Sequence, residues 1–227
     1  MHRRGRNPVL IPGREVEKKP TWGRACLVLT ALAVLVAAVA IFLYASGRPP
    51  GNSSAEAGFA RDMAVHHAQA VEMAFIAERR TEDEEVRTLA SDIVLTQQAQ
   101  IGQMQGWLSV WGLPQTGSEP QMAWMEHEMQ PGDLMPGMAT REEVATLSKL
   151  EPDEMNAEFL RLMIEHHSAA VPMSESVLAR TDRPEVEAFA GAVASSQQKE
   201  IKIMQDMLRA TGEEPAPMLE DMPGMEM

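Results

Sequence analysis

The strongest constraint on this 227-residue chain is that part of it occurs twice. Phe59, Arg61, Met63, His66, His67, Ala70, Val71 and Met73 recur as Phe159, Arg161, Met163, His166, His167, Ala170, Val171 and Met173. Further on, Glu85, Val86, Ala90, Gln97, Gln98, Ile101, Met104, Gln105 and Leu108 recur as Glu185, Val186, Ala190, Gln197, Gln198, Ile201, Met204, Gln205 and Leu208. The offset is one hundred residues throughout, without a gap. Each copy reads as an amphipathic helical hairpin, which cannot bury its apolar stripe alone. Two such hairpins packed face to face make a four-helix bundle.

Helix signals delimit the elements. Ser53 with Glu56, Thr81 with Glu84, Thr140 with Glu143, and Asp182 with Glu185 have capping-box spacing, and "WGLP" (Trp111 to Pro114) and "TGEEP" (Thr211 to Pro215) read as stops. The expected helices run near 54–79, 83–110, 153–180 and 184–210, with a short one near 141–150. No segment alternates convincingly with period two, so no sheet is expected. The fold class is all-α, with repeats over about 55–112 and 153–212, a connector over 113–152 and a tail over 213–227.

Phe59, Met63, His66, Ala70, Met73 and Ala77 are spaced four, three, four, three, four, as are Phe159, Met163, His166, Ala170, Met173 and Val177. That is the seam of a bundle helix. His66 and His166 should face the core, with His67 and His167 about 100° away at the stripe's edge. Gln97 and Gln197 fall on the partner seams, where a buried amide needs a partner. One reading is structural: His and Gln hydrogen-bond one another and fix the pairing of the hairpins. The other is metal binding, because Met63 with His67 and Met163 with His167 are four apart and share a helix face. Thioether with imidazole is a soft set that selects copper, Cu(I) in particular. A di-iron site would need four inward carboxylates, and the seams carry His, Met and Gln instead.

Composition sharpens this. There are 18 Met against 5 Phe and 1 Tyr, and the single Cys excludes an intrachain disulfide and a Cys-based zinc site. Met as an adaptable core filler accounts for the helical Met residues equally well, Met104 and Met204 among them. That account is weaker for the connector "PQMAWMEHEMQPGDLMPGMAT", with Met122, Met125, His127, Met129, Met135 and Met138, and for the tail "PMLEDMPGMEM", with Met218, Met222, Met225 and Met227. Both contain Pro and Gly, lack helical period and carry "MPGM". Clustered thioethers that capture Cu(I) are expected there, with docking of loop and tail on the bundle as the alternative. Pro172 replaces Glu72 of the first copy and removes a backbone donor, so a kink past His167 and unequal half-sites are expected.

The formal net charge is −13, unevenly placed. Before Gly47, Arg3, Arg4, Arg6, Arg14, Lys18, Lys19 and Arg24 face only Glu15 and Glu17, and the rest of the chain is acidic. Between them, 25–46 carries no charge and is long enough to span a bilayer core at about 1.5 Å per residue. It reads as a transmembrane anchor, preceded by a cytoplasmic segment over 1–24 and followed by a linker over 47–54. The basic flank keeps the N-terminus inside and places the bundle outside. A cleavable signal, giving a secreted protein, is the competing reading, against which the apolar run is long. The acidic ectodomain excludes nucleic acid as a partner.

"FARDMAVHHAQAVEMA" (Phe59 to Ala74), "MPGMAT" and "FLRLMIEHHSAAVPM" (Phe159 to Met173) resemble the domain-of-unknown-function family three-oh-five, whose paired-HH bundles are described as ferritin-like and include CopM-type periplasmic copper-binding proteins. The resemblance covers about 55–210 and implies an extracytoplasmic copper-binding or copper-tolerance role for Met63, His66, His67, Met73, Met163, His166, His167 and Met173. Departures from the family pattern are Glu56 and Asn156 where Asp is usual, Ala169 where Gly is usual, and Pro172; they point to a weaker second site. No nucleophile–base pair, phosphate loop or matched acid pair speaks for an enzyme. The expectation is a membrane-anchored copper chaperone or buffer whose partners are the metal ion, the membrane and an envelope protein or a second copy. The rival is a metal-free interaction module of the envelope with structural His and Gln.

Overall fold

A computed structural model describes residues 22–130 and 132–212, with side chains of the first helix described over 26–40. Six α-helices occur among the described residues: α1 (Trp22–Ser46), α2 (Ala55–Arg80), α3 (Glu84–Val110), α4 (Arg141–Leu147), α5 (Pro152–Leu178) and α6 (Pro184–Ala210), with a 3-10 turn at Ala123–Met125. No strand occurs among the described residues. The chain divides into a unit ending at Arg48, which contains α1, and a unit beginning at Pro49. The side chains of α1 that are described, Leu27, Val28, Leu29, Leu32, Val34, Leu35, Val36 and Val39 among them, are exposed and, apart from Thr30, whose hydroxyl donates to the Cys26 carbonyl, apolar. Among the described residues, no helix is long and apolar enough to cross a membrane. The span expected over 25–46 extends past the described side chains, and most of the basic segment over 1–24 and the tail over 213–227 lie outside the described residues.

The four long helices of the second unit form two hairpins, α2 with α3 and α5 with α6, which meet chiefly along α2 and α5. Their limits follow the sequence signals closely, but the caps do not. Only Thr140 with Glu143 forms the expected capping box. The α2 cap is Ser54, whose hydroxyl accepts from Ala57 N, so Ser53 is not the cap. Asp83 caps α3 through Glu85 N and Val86 N, while Thr81 terminates α2 and accepts from Asp83 N at 3.0 Å. Thr181 accepts from Arg183 N in the same way at 3.2 Å, and α6 starts at Pro184 with no side-chain cap. A proline at the first helical position needs no acceptor and already has the helical φ, which displaces the expected Asp182 cap. Glu56, expected in a capping box, instead accepts from the Thr181 hydroxyl at 2.9 Å and ties the two hairpins together.

The core divides into two apolar clusters. One gathers the C-terminal part of α2 and the N-terminal parts of α3 and α5 with Ile201, Met204 and Leu208; the other gathers the N-terminal part of α2, the C-terminal parts of α3 and α5, and the start of α6. This distribution makes α2 and α5 antiparallel. Phe159 anchors the first cluster and Phe59 the second, both with no exposed surface, each contributing roughly 2–3 kcal/mol of burial. Between the clusters lies a polar layer of His66, His67, His166, His167, Gln97 and Gln197, every one at most 2% exposed. α5 runs through Pro172 without interruption, so the expected kink does not break the helix.

Candidate metal centre

His66 and His166 meet where the two hairpins touch, their ring centroids 3.7 Å apart at an interplanar angle of 34°. The spacing of the seam brings both rings to the pseudo-twofold relation between the repeats. His166 Nε2–H donates to the backbone carbonyl of His66 (2.9 Å), and His66 Nε2–H donates to the carbonyl of Pro136 (3.2 Å). His167 Nε2 lies 2.7 Å from Glu200 Oε2. A carbonyl or carboxylate only accepts, so in each of these three rings Nε2 carries the hydrogen, and in a neutral ring Nδ1 then keeps its lone pair. The Nδ1 atoms of all four histidines are buried with no hydrogen-bond partner, as is Nε2 of His67.

Burial favours the neutral form of His66, His67 and His166. Desolvation lowers His66 to about 4, opposed by its bond to Pro136 and assisted by the neighbouring His167. Desolvation lowers His67 to about 3, with His66 and His167 adding repulsion and the Gln100 amide opposing. His166 is held well below its ordinary value by burial and then by the other three rings. Neutral imidazole is the form that binds a metal.

The expected His–Gln pairing is not what fills this layer. Both amide atoms of Gln97 and Oε1 of Gln197 are buried without partners. A buried unpaired polar group costs about 1–3 kcal/mol, and so many in one layer is unusual for a core stabilised by packing alone.

The thioethers are regrouped by the tertiary fold. Met63, Met104 and Met173 lie in one apolar cluster and Met73, Met163 and Met204 in the other, all at most 1% exposed. Each set takes residues from three helices, and the one-hundred-residue offset converts one into the other. The helix-local pairs expected from sequence, Met63 with His67 and Met163 with His167, thus each bring a thioether from a different cluster, with Met63 in one and Met163 in the other. Imidazole and thioether together are a donor set for soft ions. Among the described residues, no three His, Cys, Asp or Glu side chains are gathered as a metal site, so thioethers would have to complete any such set.

The connector is docked on the bundle. Met122 and Met135 are buried, and Met125, Met129 and Met138 pack against the same cluster, so packing accounts for these five. His127 is exposed. Met218, Met222, Met225 and Met227 lie outside the described residues.

Three side chains on one face of α2 hold the connector in place. Asp62 accepts from Met122 N (2.7 Å) and from the Trp124 indole (2.9 Å); burial raises its pKa while these two bonds and Arg61 oppose. His66 holds Pro136, and Gln69 clamps the Ala139 backbone from both sides, with Nε2 donating at 2.8 Å and Oε1 accepting at 2.7 Å. Gly137 has φ +73°, and a Cβ there would lie 2.6 Å from Ala169 Cβ and 2.7 Å from the Glu165 carbonyl. "MPGM" is thus a backbone seated on α5 beside His166. Sequence reasoning missed Gln69, Pro136 and Glu200 as parts of this centre, and the Leu162 that matches Asp62 in the second copy argues against that carboxylate in any symmetric site. Gln69 carried a usable signal, standing three after His66.

The sequence matches the family described as Domain of unknown function (DUF305) over residues 56–208. Among solved structures, a DUF305 protein from Streptomyces coelicolor is 43% identical, covering 74% of this chain and 99% of that one, with a TM-score of 0.69. A DUF305 fragment from Deinococcus radiodurans is 38% identical over 69% of this chain and 96% of its own, with a TM-score of 0.58. CopM in its Cu(I)-bound form is 25% identical over 70% of this chain and 97% of its own, with a TM-score of 0.54. No curated protein is matched. The match spans both hairpins and both histidine pairs, and the chain belongs to the DUF305 family.

Proposed function

We propose that this protein binds copper, as Cu(I), outside the cytoplasm, and serves as a chaperone or buffer with no catalytic step of its own. The observation that carries the reading is the layer of four buried imidazoles whose Nδ1 atoms have no hydrogen-bond partner while three of the Nε2 positions are held by carbonyl or carboxylate oxygen. Such an outer bond orients a ring and raises its basicity toward a metal. His66, His67, His166 and His167 would supply imidazole. Met63, Met73, Met163 and Met173, with Met104 and Met204, would supply thioether. Met218, Met222, Met225 and Met227 of the tail would act as secondary donors. CopM has been solved with Cu(I), Cu(II) and Ag, which supports a soft-ion cargo. The anchor over 25–46, N-terminus inside, completes the proposal: its uncharged sequence and exposed apolar side chains suit a lipid environment.

A metal-free envelope module is favoured by one observation, the absence of a ready group of three His, Cys, Asp or Glu side chains among the described residues. Titration of the full chain with Cu(I) against a chromophoric chelator decides, with a variant in which His66, His67, His166 and His167 are all Ala. The proposal expects the parent to compete for copper, the variant to lose the tightest site, and the parent's melting temperature to rise with the logarithm of free Cu(I). Equal binding by both would make the histidines structural and leave the thioethers as the donors. A parent that takes no copper would establish the metal-free module.

A further inference from the structure

The two repeats hold their second histidines differently. His167 is fully buried, yet its Nε2 reaches Glu200, whose side chain is 25% exposed. One hundred residues earlier the same position is Gln100. There, neither ring nitrogen of His67 has a hydrogen bond of normal geometry, and Gln100 Oε1 is itself buried and unpartnered. The sequence expectation, drawn from Pro172 and Ala169, is that the second half is the weaker.

We propose that Glu200 is a positioning residue that makes the second half the tighter of two unequal copper half-sites. The inference rests on the copper reading above. At 2.7 Å the Glu200 carboxylate faces Nε2 as an acceptor, so in the neutral His167 ring it selects the tautomer with hydrogen on Nε2 and the lone pair on Nδ1. The charged acceptor also makes that ring a stronger donor to metal. An amide offers both an acceptor and a donor, so Gln100 selects neither tautomer of His67. His167 is therefore set for a ligand in advance, and His67 is set only when the ligand arrives. Glu200 is a partly buried carboxylate at the edge of the histidine layer and belongs to neither apolar cluster, so its replacement by the isosteric glutamine leaves those clusters intact.

Two measurements on the full chain test this. In metal-free protein with 15N-labelled histidine, long-range 1H–15N correlation should show His167 as a single Nε2–H tautomer; Glu200→Gln should mix the tautomers, and Gln100→Glu should impose the Nε2–H form on His67. In Cu(I) competition, the parent should show two affinity classes, Glu200→Gln should weaken the tighter by about 10–100-fold, and Gln100→Glu should strengthen the weaker. Circular dichroism confirms that each variant is folded. A parent that binds copper in two classes unchanged by Glu200→Gln overturns the role of Glu200 and leaves the copper reading standing, as does a tautomer change without an affinity change. A parent that binds no copper overturns both.

Discussion

Replacing Gly137 by alanine tests whether the connector is seated against the histidine helix, and Gly112 supplies a matched control. The two glycines have nearly the same backbone, φ +73° and +71°, but nothing lies within 4 Å of a Cβ at Gly112. Gly112→Ala should therefore lose only the left-handed penalty, roughly 1–2 kcal/mol. Gly137→Ala carries the same penalty and adds contacts at 2.6 Å to Ala169 Cβ, 2.7 Å to the Glu165 carbonyl and 3.1 Å to His166 Cα. These belong to the fixed body of α5 and cannot rotate away, so overpacking adds about 1–3 kcal/mol. Any lift of the loop also strains the 3.2 Å bond from His66 to Pro136. The expected difference between the variants is about 2–3 kcal/mol, or roughly 4–12 °C in melting temperature for a domain of this size. Urea unfolding followed by tryptophan fluorescence reads it through Trp107, Trp111 and Trp124. Equal losses at Gly112 and Gly137 would mean that "MPGM" does not rest on α5.

Acid should weaken the fold before carboxylates titrate. His66 and His67 protonate at about 4 and about 3 when folded against 6.5 in a model chain, so between these limits the unfolded state binds more protons. Stability is full above about pH 6.5 and falls as pH drops through the window, by about 1.4 kcal/mol per pH unit for each such imidazole; a melting temperature flat from pH 7 to 4.5 would contradict this. Asp62→Ala removes the acceptor of Met122 N and the Trp124 indole, at a cost of about 2–4 kcal/mol, and amide exchange at Met122 should accelerate; unchanged exchange would remove Asp62 from its anchoring role. Ser54→Ala should lose about 1 kcal/mol and Ser53→Ala almost nothing, and thermal melts showing the reverse order would return the cap to Ser53.

Most of the centre's contents were legible in sequence, and its connections were not. Helical periodicity and the repeat placed His66, His166, Gln97 and Gln197 in the core because side-chain direction follows from spacing along a rigid helix. The same logic failed for the capping residues, where a one-residue shift costs little: Ser53 and Ser54 are chemically alike, and only the chain's path selects the second. It failed again for the connector thioethers, which looked free of packing duty because the connector lacks helical period. Met122 and Met135 are in fact buried, since an irregular segment can be held by side chains from elsewhere, here Asp62, His66 and Gln69.

The sequence alone determined the two hairpins, the paired histidines and the all-helical class, because these depend on local spacing and on an internal repeat at constant offset. The tertiary structure alone decided which thioethers share an apolar cluster, which ring nitrogens are tied to oxygen, and that the equivalent histidines are unequal. Those relations join residues far apart in the sequence, 110 positions in the case of Met63 and Met173. Antiparallel packing of α2 on α5 puts Met63 and Met173 in one cluster, and the α5–α6 hairpin carries Glu200 to His167; no pattern along a single helix contains that information.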